Sequence, residues 1–206
     1  SGPRRELGTR TIFNLLGPLT NPAQVRHQVV GVFDRRWCEP VAAALGALGV
    51  RRAAVVHGAG GLDEIAVRGE THVAMWNDGI VETFQLSPKR FGMHDVDPGG
   101  LVGGDATHNA NVLRAVLAGR HVDRGEAHEA VLHAAAMAAA LGLELLEPGE
   151  VDLGRLPDQY VRASTVAQDG AARLALYRFV EASRATANED LSALATKTAA
   201  DFKGVE

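Results

Sequence analysis

The chain has 206 residues, 46% of them apolar and 22% charged, with a net charge of −4. This balance fits a globular domain with at most a small appendage, and excludes both a disordered chain and a general nucleic-acid surface. A single cysteine, Cys38, rules out an intrachain disulfide and fits a reducing compartment, here read as the cytoplasm. No apolar run is read as long enough to span a bilayer. The start, Ser1-Gly2-Pro3-Arg4-Arg5, has no apolar signal-peptide core, and without an initial Met the chain reads as a piece of a longer protein.

Glu6 to Leu16 reads as a short amphipathic helix, broken by Gly17-Pro18 and again by Asn21-Pro22. Gln28 to Phe33 is a short β-rich run closed by Asp34. Glu39 to Leu48 carries Val41, Ala42, Leu45 and Leu48 on one helical face, with Gly49 as its C-cap. Arg51 to Val56 is the next strand. Strand, helix and strand in this order make a βαβ unit, whose two strands should be parallel. Thr71 to Trp76 and Ile80 to Leu86 flank Asn77-Asp78-Gly79, a hairpin signal. The expectation is an α/β fold with a mixed, mostly parallel sheet flanked by helices.

Ser87 to Gly100 is read as a loop, Thr107 to Leu117 as a helix, and Gly119 to Gly125 as a turn. Glu126 to Leu146 is a long Ala-rich helix whose small-residue face suits close packing. Pro148 to Pro157 is read as a loop, Ser164 to Ser183 as a helix, and Glu189 to Phe202 as a weaker helix at a frayed end.

The stretch with most chemistry is Val55-Val56-His57-Gly58-Ala59-Gly60-Gly61-Leu62-Asp63-Glu64. A strand runs into a glycine cluster that ends in two carboxylates, where ligands sit in open α/β sheets. Gly58, Gly60 and Gly61 are read as supplying positive φ. Neighbours on a regular strand face opposite ways, so two carboxylates serving one site need irregular backbone. Such a pair suits a hard cation like Mg²⁺, which binds through one or two carboxylates plus substrate phosphates. A solvated acidic turn is the alternative. His57 is either a ligand or base, or a structural residue at a strand end. Arg4 and Arg5 either bind a carboxylate or are solvated. Gly103-Gly104-Asp105 is either an anion nest or a turn in which Asp105 caps the next helix. Cys38 reads as a core or semi-exposed thiol.

The run from Arg4-Arg5-Glu6-Leu7-Gly8-Thr9-Arg10-Thr11-Ile12-Phe13-Asn14 through Leu15-Leu16-Gly17-Pro18-Leu19-Thr20-Asn21-Pro22-Ala23 resembles the signature of anthranilate phosphoribosyltransferases. Val55 to Gly58 with Gly61 to Glu64, and Gly103-Gly104-Asp105 with Asn109-Ala110 and Leu113 to Leu117, resemble later segments of that family. The resemblance covers residues 4 to 183. It implies transfer of the phosphoribosyl group of 5-phosphoribosyl 1-pyrophosphate to anthranilate, with release of pyrophosphate, in tryptophan biosynthesis. It also implies a small helical domain, a larger α/β domain of the nucleoside phosphorylase type, and a homodimer. Residues 1–24 would belong to the small domain, 25–183 to the α/β domain, and 184–206 would form a tail that is helical and partly mobile. Asp63 and Glu64 would hold Mg²⁺. Arg4 would face the anthranilate carboxylate, and Gly17 and Pro18 would line the anthranilate path. No residue of the chain is assigned as a catalytic nucleophile or base, and neither nucleic acid nor membrane is expected as a partner.

The family's Gly-Thr-Gly-Gly-Asp and Lys-His-Gly-Asn motifs, which lie upstream of the arginine signature and carry most phosphoribosyl pyrophosphate contacts, are absent here. His108 and His133 stand where Glu and Asn are expected. The chain therefore reads as the second half of such an enzyme, inactive alone. A non-catalytic homologue or structural module is the rival; a pyrimidine nucleoside phosphorylase relative fits the arginine signature less well.

Overall fold

The structure, a computed structural model, describes residues 13–117 and 125–201, with side chains over 15–117 and 128–187. Arg4, Arg5, the start of the first expected helix, the expected turn after residue 118 and Phe202 lie outside the described residues.

Helix α1, Phe13–Leu19, contains Gly17 and Pro18, which the sequence pattern marks as its breakers. Pro18 sits in the last turn, so its missing N–H ends the helix only after Leu19. Thr20 closes the end: its N–H donates to the Gly17 carbonyl (3.2 Å) and its Oγ1 to the Leu16 carbonyl (2.9 Å). Strand β1, His27–Gly31, leads through the Asp34-capped turn Arg35–Trp37 into helix α2, Cys38–Ala47, and then into strand β2, Arg52–Gly58. β1 and β2 are parallel, with Val30 opposite Val55, as the βαβ reading requires. Strands β3, Thr71–Asn77, and β4, Ile80–Leu86, form the expected Asp78-Gly79 hairpin.

The sheet order is β1-β2-β3-β4. The sheet is mixed, but antiparallel pairing prevails among the described residues, a correction to the expectation of mostly parallel strands. β2 pairs antiparallel with β3, and β3 with β4. No crossover helix lies between Gly58 and Thr71, so the chain has no means of returning to a parallel start.

Both faces of the sheet are covered. Ala53 and Val55 of β2 pack with Cys38, Val41, Leu45 and Leu15 on one side. Ala54 and Val56 pack on the other side against helix α4, Gly125–Leu146, through Met137, Leu141 and Leu145. The alternation of faces from Ala53 to Val56 is thus masked in the sequence: a strand buried on both faces reads as one continuous apolar run. Cys38 is fully buried, and burial pushes its thiol up to about 11, so it is a core residue.

The C-terminal helices differ from the sequence reading. Helix α3, Ala106–Val116, falls close to expectation. Helix α5, Leu156–Gln168, begins where a loop was expected, with Pro157 in its first turn, a position proline favours. It stops at Asp169-Gly170, where Gly170 has φ +96. Helix α6, Ala171–Asp201, restarts there, with Asp169 Oδ1 accepting from the Ala171 N–H at 2.8 Å. The expected break between two terminal helices is absent: α6 is continuous through residues 183 and 184. Within α4, His128–Leu146 is long and apolar enough to cross a membrane, contrary to the sequence reading, and half of that stretch is buried in this fold.

Two buried polar groups tie the end of α4 to its surroundings. Arg52, at the start of β2 and 5% exposed, donates to the carbonyls of Leu145 (3.4 Å), Glu147 (2.6 Å) and Gly149. The Leu145 carbonyl is one of those the end of α4 leaves without an internal partner, and Glu147 and Gly149 belong to the bend that follows it. Glu144, fully buried, accepts from the Asp152 N–H at 2.8 Å and from Arg155 Nε at 3.0 Å, with a second contact from Arg155 Nη2.

Candidate active site

β2 ends at Gly58, and the chain turns back at once. Gly58 and Leu62 exchange two backbone hydrogen bonds, 2.8 and 3.2 Å. Gly60 (φ +78) and Gly61 (φ +84) make the reversal, in a region that side chains with a Cβ seldom adopt. Gly58 does not: its φ is −85, so the positive-φ role expected for it is corrected. What Gly58 provides is space, since a Cβ there would lie 2.5 Å from the Glu64 carbonyl oxygen.

A second glycine, invisible to motif reasoning, completes the seat. A Cβ on Gly31 of β1 would lie 1.6 Å from the Asp63 carbonyl oxygen. The loop backbone therefore rests directly on the ends of two adjacent parallel strands. The Ala66 N–H, donating to the buried Thr71 Oγ1 at 2.8 Å, anchors the exit of the loop.

Asp63 and Glu64 sit on bent, non-strand backbone, and both line one cavity of about 420 Å³. The irregular backbone the sequence argument called for is what lets neighbouring carboxylates share a wall. Partial loss of solvation, and then the neighbouring Asp63 carboxylate, raise Glu64 above the usual carboxylate range. The opposite wall is the apolar face of α4, including Ala134 and Ala138, and the roof comes from Gly100 to Gly103 with Asn109 and Leu113 of α3. Asp105 Oδ1 accepts from the His108 N–H at 2.7 Å, so it caps α3. The Asn109 side chain clasps Gly104, accepting from its N–H at 2.9 Å and donating to its carbonyl at 3.0 Å. Gly103 is thereby held at the cavity rim.

The other candidates lie elsewhere. His57 is outside this cavity; its Nδ1 is 2.8 Å from the Val32 carbonyl, the structural role at a strand end. Pro18 lines a separate cavity with Leu48 and Val50, at the end of the sheet where β1 and β2 begin. Gly17 has open space around it. Arg4 lies outside the described residues. Among the described residues no group of three or more His, Cys, Asp or Glu could hold a metal, so Asp63 and Glu64 would need oxygens from substrate and water. That donor set suits Mg²⁺, which keeps waters and binds few protein carboxylates.

A family model described as "Glycosyl transferase family, a/b domain" matches residues 1–172. The chain belongs to this family. Its curated relatives bear the enzyme name that the arginine signature suggested. The anthranilate phosphoribosyltransferase of Azorhizobium caulinodans is 60% identical over 119 residues, covering 57% of this chain and 35% of that protein. The one from Anaeromyxobacter dehalogenans is 45% identical over 182 residues, covering 88% of this chain and 50% of that protein. The Saccharomyces cerevisiae anthranilate phosphoribosyltransferase, solved in complex with PRPP and Mg, superposes with a TM-score of 0.68 at 26% identity, covering 86% of this chain and 48% of that one. The same enzyme solved with 4-fluoroanthranilate gives a TM-score of 0.69. The chain spans about half the length of the curated relatives it matches.

Proposed function

We propose that this chain is the carboxyl-terminal part of an anthranilate phosphoribosyltransferase. Such an enzyme would transfer the phosphoribosyl group of 5-phosphoribosyl 1-pyrophosphate to the amine of anthranilate. The observation that carries the proposal is the bent Asp63–Glu64 pair on one wall of a cavity otherwise apolar on its α4 side. Asp63 and Glu64 would hold Mg²⁺. When bound, the ion would neutralise charge on the pyrophosphate leaving group. The chain's own residues would act by placement: Gly31 and Gly58 fix the carboxylates, and α4 with the Gly100 to Gly103 segment shields the reacting centre from water. Arg4 would pair with the anthranilate carboxylate, and Gly17 and Pro18 would line its path. Residues 1–24 would complete a small helical domain, with 25–183 as the α/β domain and 184–206 as a tail. The complete enzyme would be a cytoplasmic homodimer; the buried, unpaired Cys38 supports a reducing compartment.

The test is a chimera in which this chain replaces the matching half of the Anaeromyxobacter dehalogenans enzyme. It should consume anthranilate only with Mg²⁺ and phosphoribosyl pyrophosphate present. Asp63→Ala with Glu64→Ala should abolish turnover with the fold intact, and Arg4→Ala should raise KM for anthranilate. A folded chimera without turnover would refute the proposal. A double variant with unchanged Mg²⁺ dependence would remove the metal role.

A further inference from the structure

Helix α6, Ala171–Asp201, is the longest of the described helices, and the family match stops at its second residue, 172. Its inner row is Ala172, Leu176 and Val180, four apart and half-buried. Its outer face carries Leu174 and Tyr177, 50% and 60% exposed. Helical spacing continues that face through positions 181, 184, 188 and 191, in steps of three and four residues. Glu181 and Arg184 are exposed, and neither has an ion-pair partner among the described residues. Charge is segregated about the middle of this face: Arg173 and Arg178 come before it, Glu189 and Asp190 after it.

An apolar pair on an otherwise polar helix face calls for a partner, and the charge order identifies it. Laid parallel and in register, two such helices would set Glu181 against Glu181 and Arg184 against Arg184. Laid antiparallel about a two-fold axis midway between residues 182 and 183, they set opposite charges together. Position 174 then lies beside Leu191 of the second copy, Glu181 beside its Arg184, and Arg184 beside its Glu181. The axis repeats each pairing, as a contact between identical surfaces requires. Arg173 and Arg178 run alongside the acidic Glu189 and Asp190 positions of the second copy, the kind of flanking charge that sets helix orientation. We propose that the outer face of α6 is a self-recognition surface, on which a second copy of this chain docks its own α6 antiparallel. The contact uses neither the Asp63–Glu64 cavity nor the part of the chain matched by the family model. It is therefore separate from the activity and the homodimer proposed above, and its failure would leave both standing.

The experiment is sedimentation of the full chain and of the chimera over a range of concentrations. Both should self-associate, and Leu174→Glu with Tyr177→Glu should weaken that association at least about tenfold. Glu181→Arg and Arg184→Glu should each do the same, because the two-fold axis turns one reversal into two like-charge pairs. All four positions are exposed, so the fold should hold, and far-ultraviolet circular dichroism checks that α6 stays helical. The combinations are decisive. Glu181→Arg and Arg184→Glu in one chain recreate both pairings and should recover the association. Mixing the two single variants should give a one-to-one heterodimer tighter than either variant's association with itself. A monomer at every concentration would overturn the proposal, as would the absence of rescue in the double variant and in the mixture. So would association that survives every change on α6. Association of the free chain that the chimera lacks would give the face to the other half of the enzyme, and would overturn it too.

Discussion

Replacing Gly31 with alanine tests how the carboxylates are held. The new Cβ would lie 1.6 Å from the Asp63 carbonyl oxygen and 2.6 Å from its carbonyl carbon. Real contacts of this kind stay at or beyond 3.0 Å, so the loop must retreat by at least ~1.4 Å. It cannot do so freely, because Leu62 is bonded twice to Gly58 and the Ala66 N–H is held by Thr71. Overpacking of this sort costs about 1–3 kcal/mol, or roughly 2–12 °C in Tm for a chain of this size. The displaced carboxylates should lose about 10²-fold in turnover in the chimera, with a raised Mg²⁺ requirement. Gly60→Ala is the control. Nothing lies within 4 Å of its Cβ position, so only the strain of φ +78 is at stake, on the order of 1 kcal/mol. Thermal melts of the free chain, Ala66 amide exchange and Mg²⁺ titration of the chimera give the readouts. If Gly31→Ala is milder than Gly60→Ala in all three, the loop is not seated on β1 and the argument is wrong.

Arg52→Ala should cost about 2–4 kcal/mol in urea unfolding, since it strips three carbonyls at and just past the end of α4 of a charged donor; Arg52→Lys should recover part, lacking the planar fork. Glu144→Gln should cost about 1–3 kcal/mol. The pair Glu144→Met with Arg155→Met should be less destabilised than the two single effects added, because no charge is then left buried alone; strict additivity would count against the pair. His133, whose Nδ1 meets the Tyr160 hydroxyl at 2.6 Å, is held below the ordinary 6.5 chiefly by burial, with Glu129 opposing. The unfolded chain therefore binds more protons than the native one between that lowered value and 6.5, and stability should fall as pH drops through this window. His27 and His72 are lowered as well, so His133→Gln should reduce the pH slope of Tm without abolishing it.

The elements that could be read from sequence are those set by near neighbours. The hairpin follows from Asp78-Gly79 and the βαβ unit from two apolar runs around one helical face. The carboxylate pair stood out because polar residues ended a glycine cluster. What escaped were contacts made by distant partners. Gly31 meets Asp63 only because the β1–β2 register sets it beside Val56, just before β2 turns back at Gly58. Arg52 and Glu144 act across the join of β2, α4 and α5, and nothing near either residue announces it. The start of α5 differs from the expected loop end because proline fits a first helical turn as well as a loop, and Pro157 stands in the first turn of a helix. The antiparallel β2–β3 pairing was also within reach, since the segment between them has no helix to carry a crossover.

The two margins of the sheet are chemically unequal. β4 ends the sheet with Glu82, Thr83 and Gln85 exposed, the charged and polar dressing that keeps strand margins from recruiting other chains. β1, His27-Gln28-Val29-Val30-Gly31, carries no lysine, glutamate or proline at all. Made without a companion, the chain should therefore be prone to intermolecular β-stacking and holdase capture through that margin. Gln28→Lys should improve its solubility more than any change on β4.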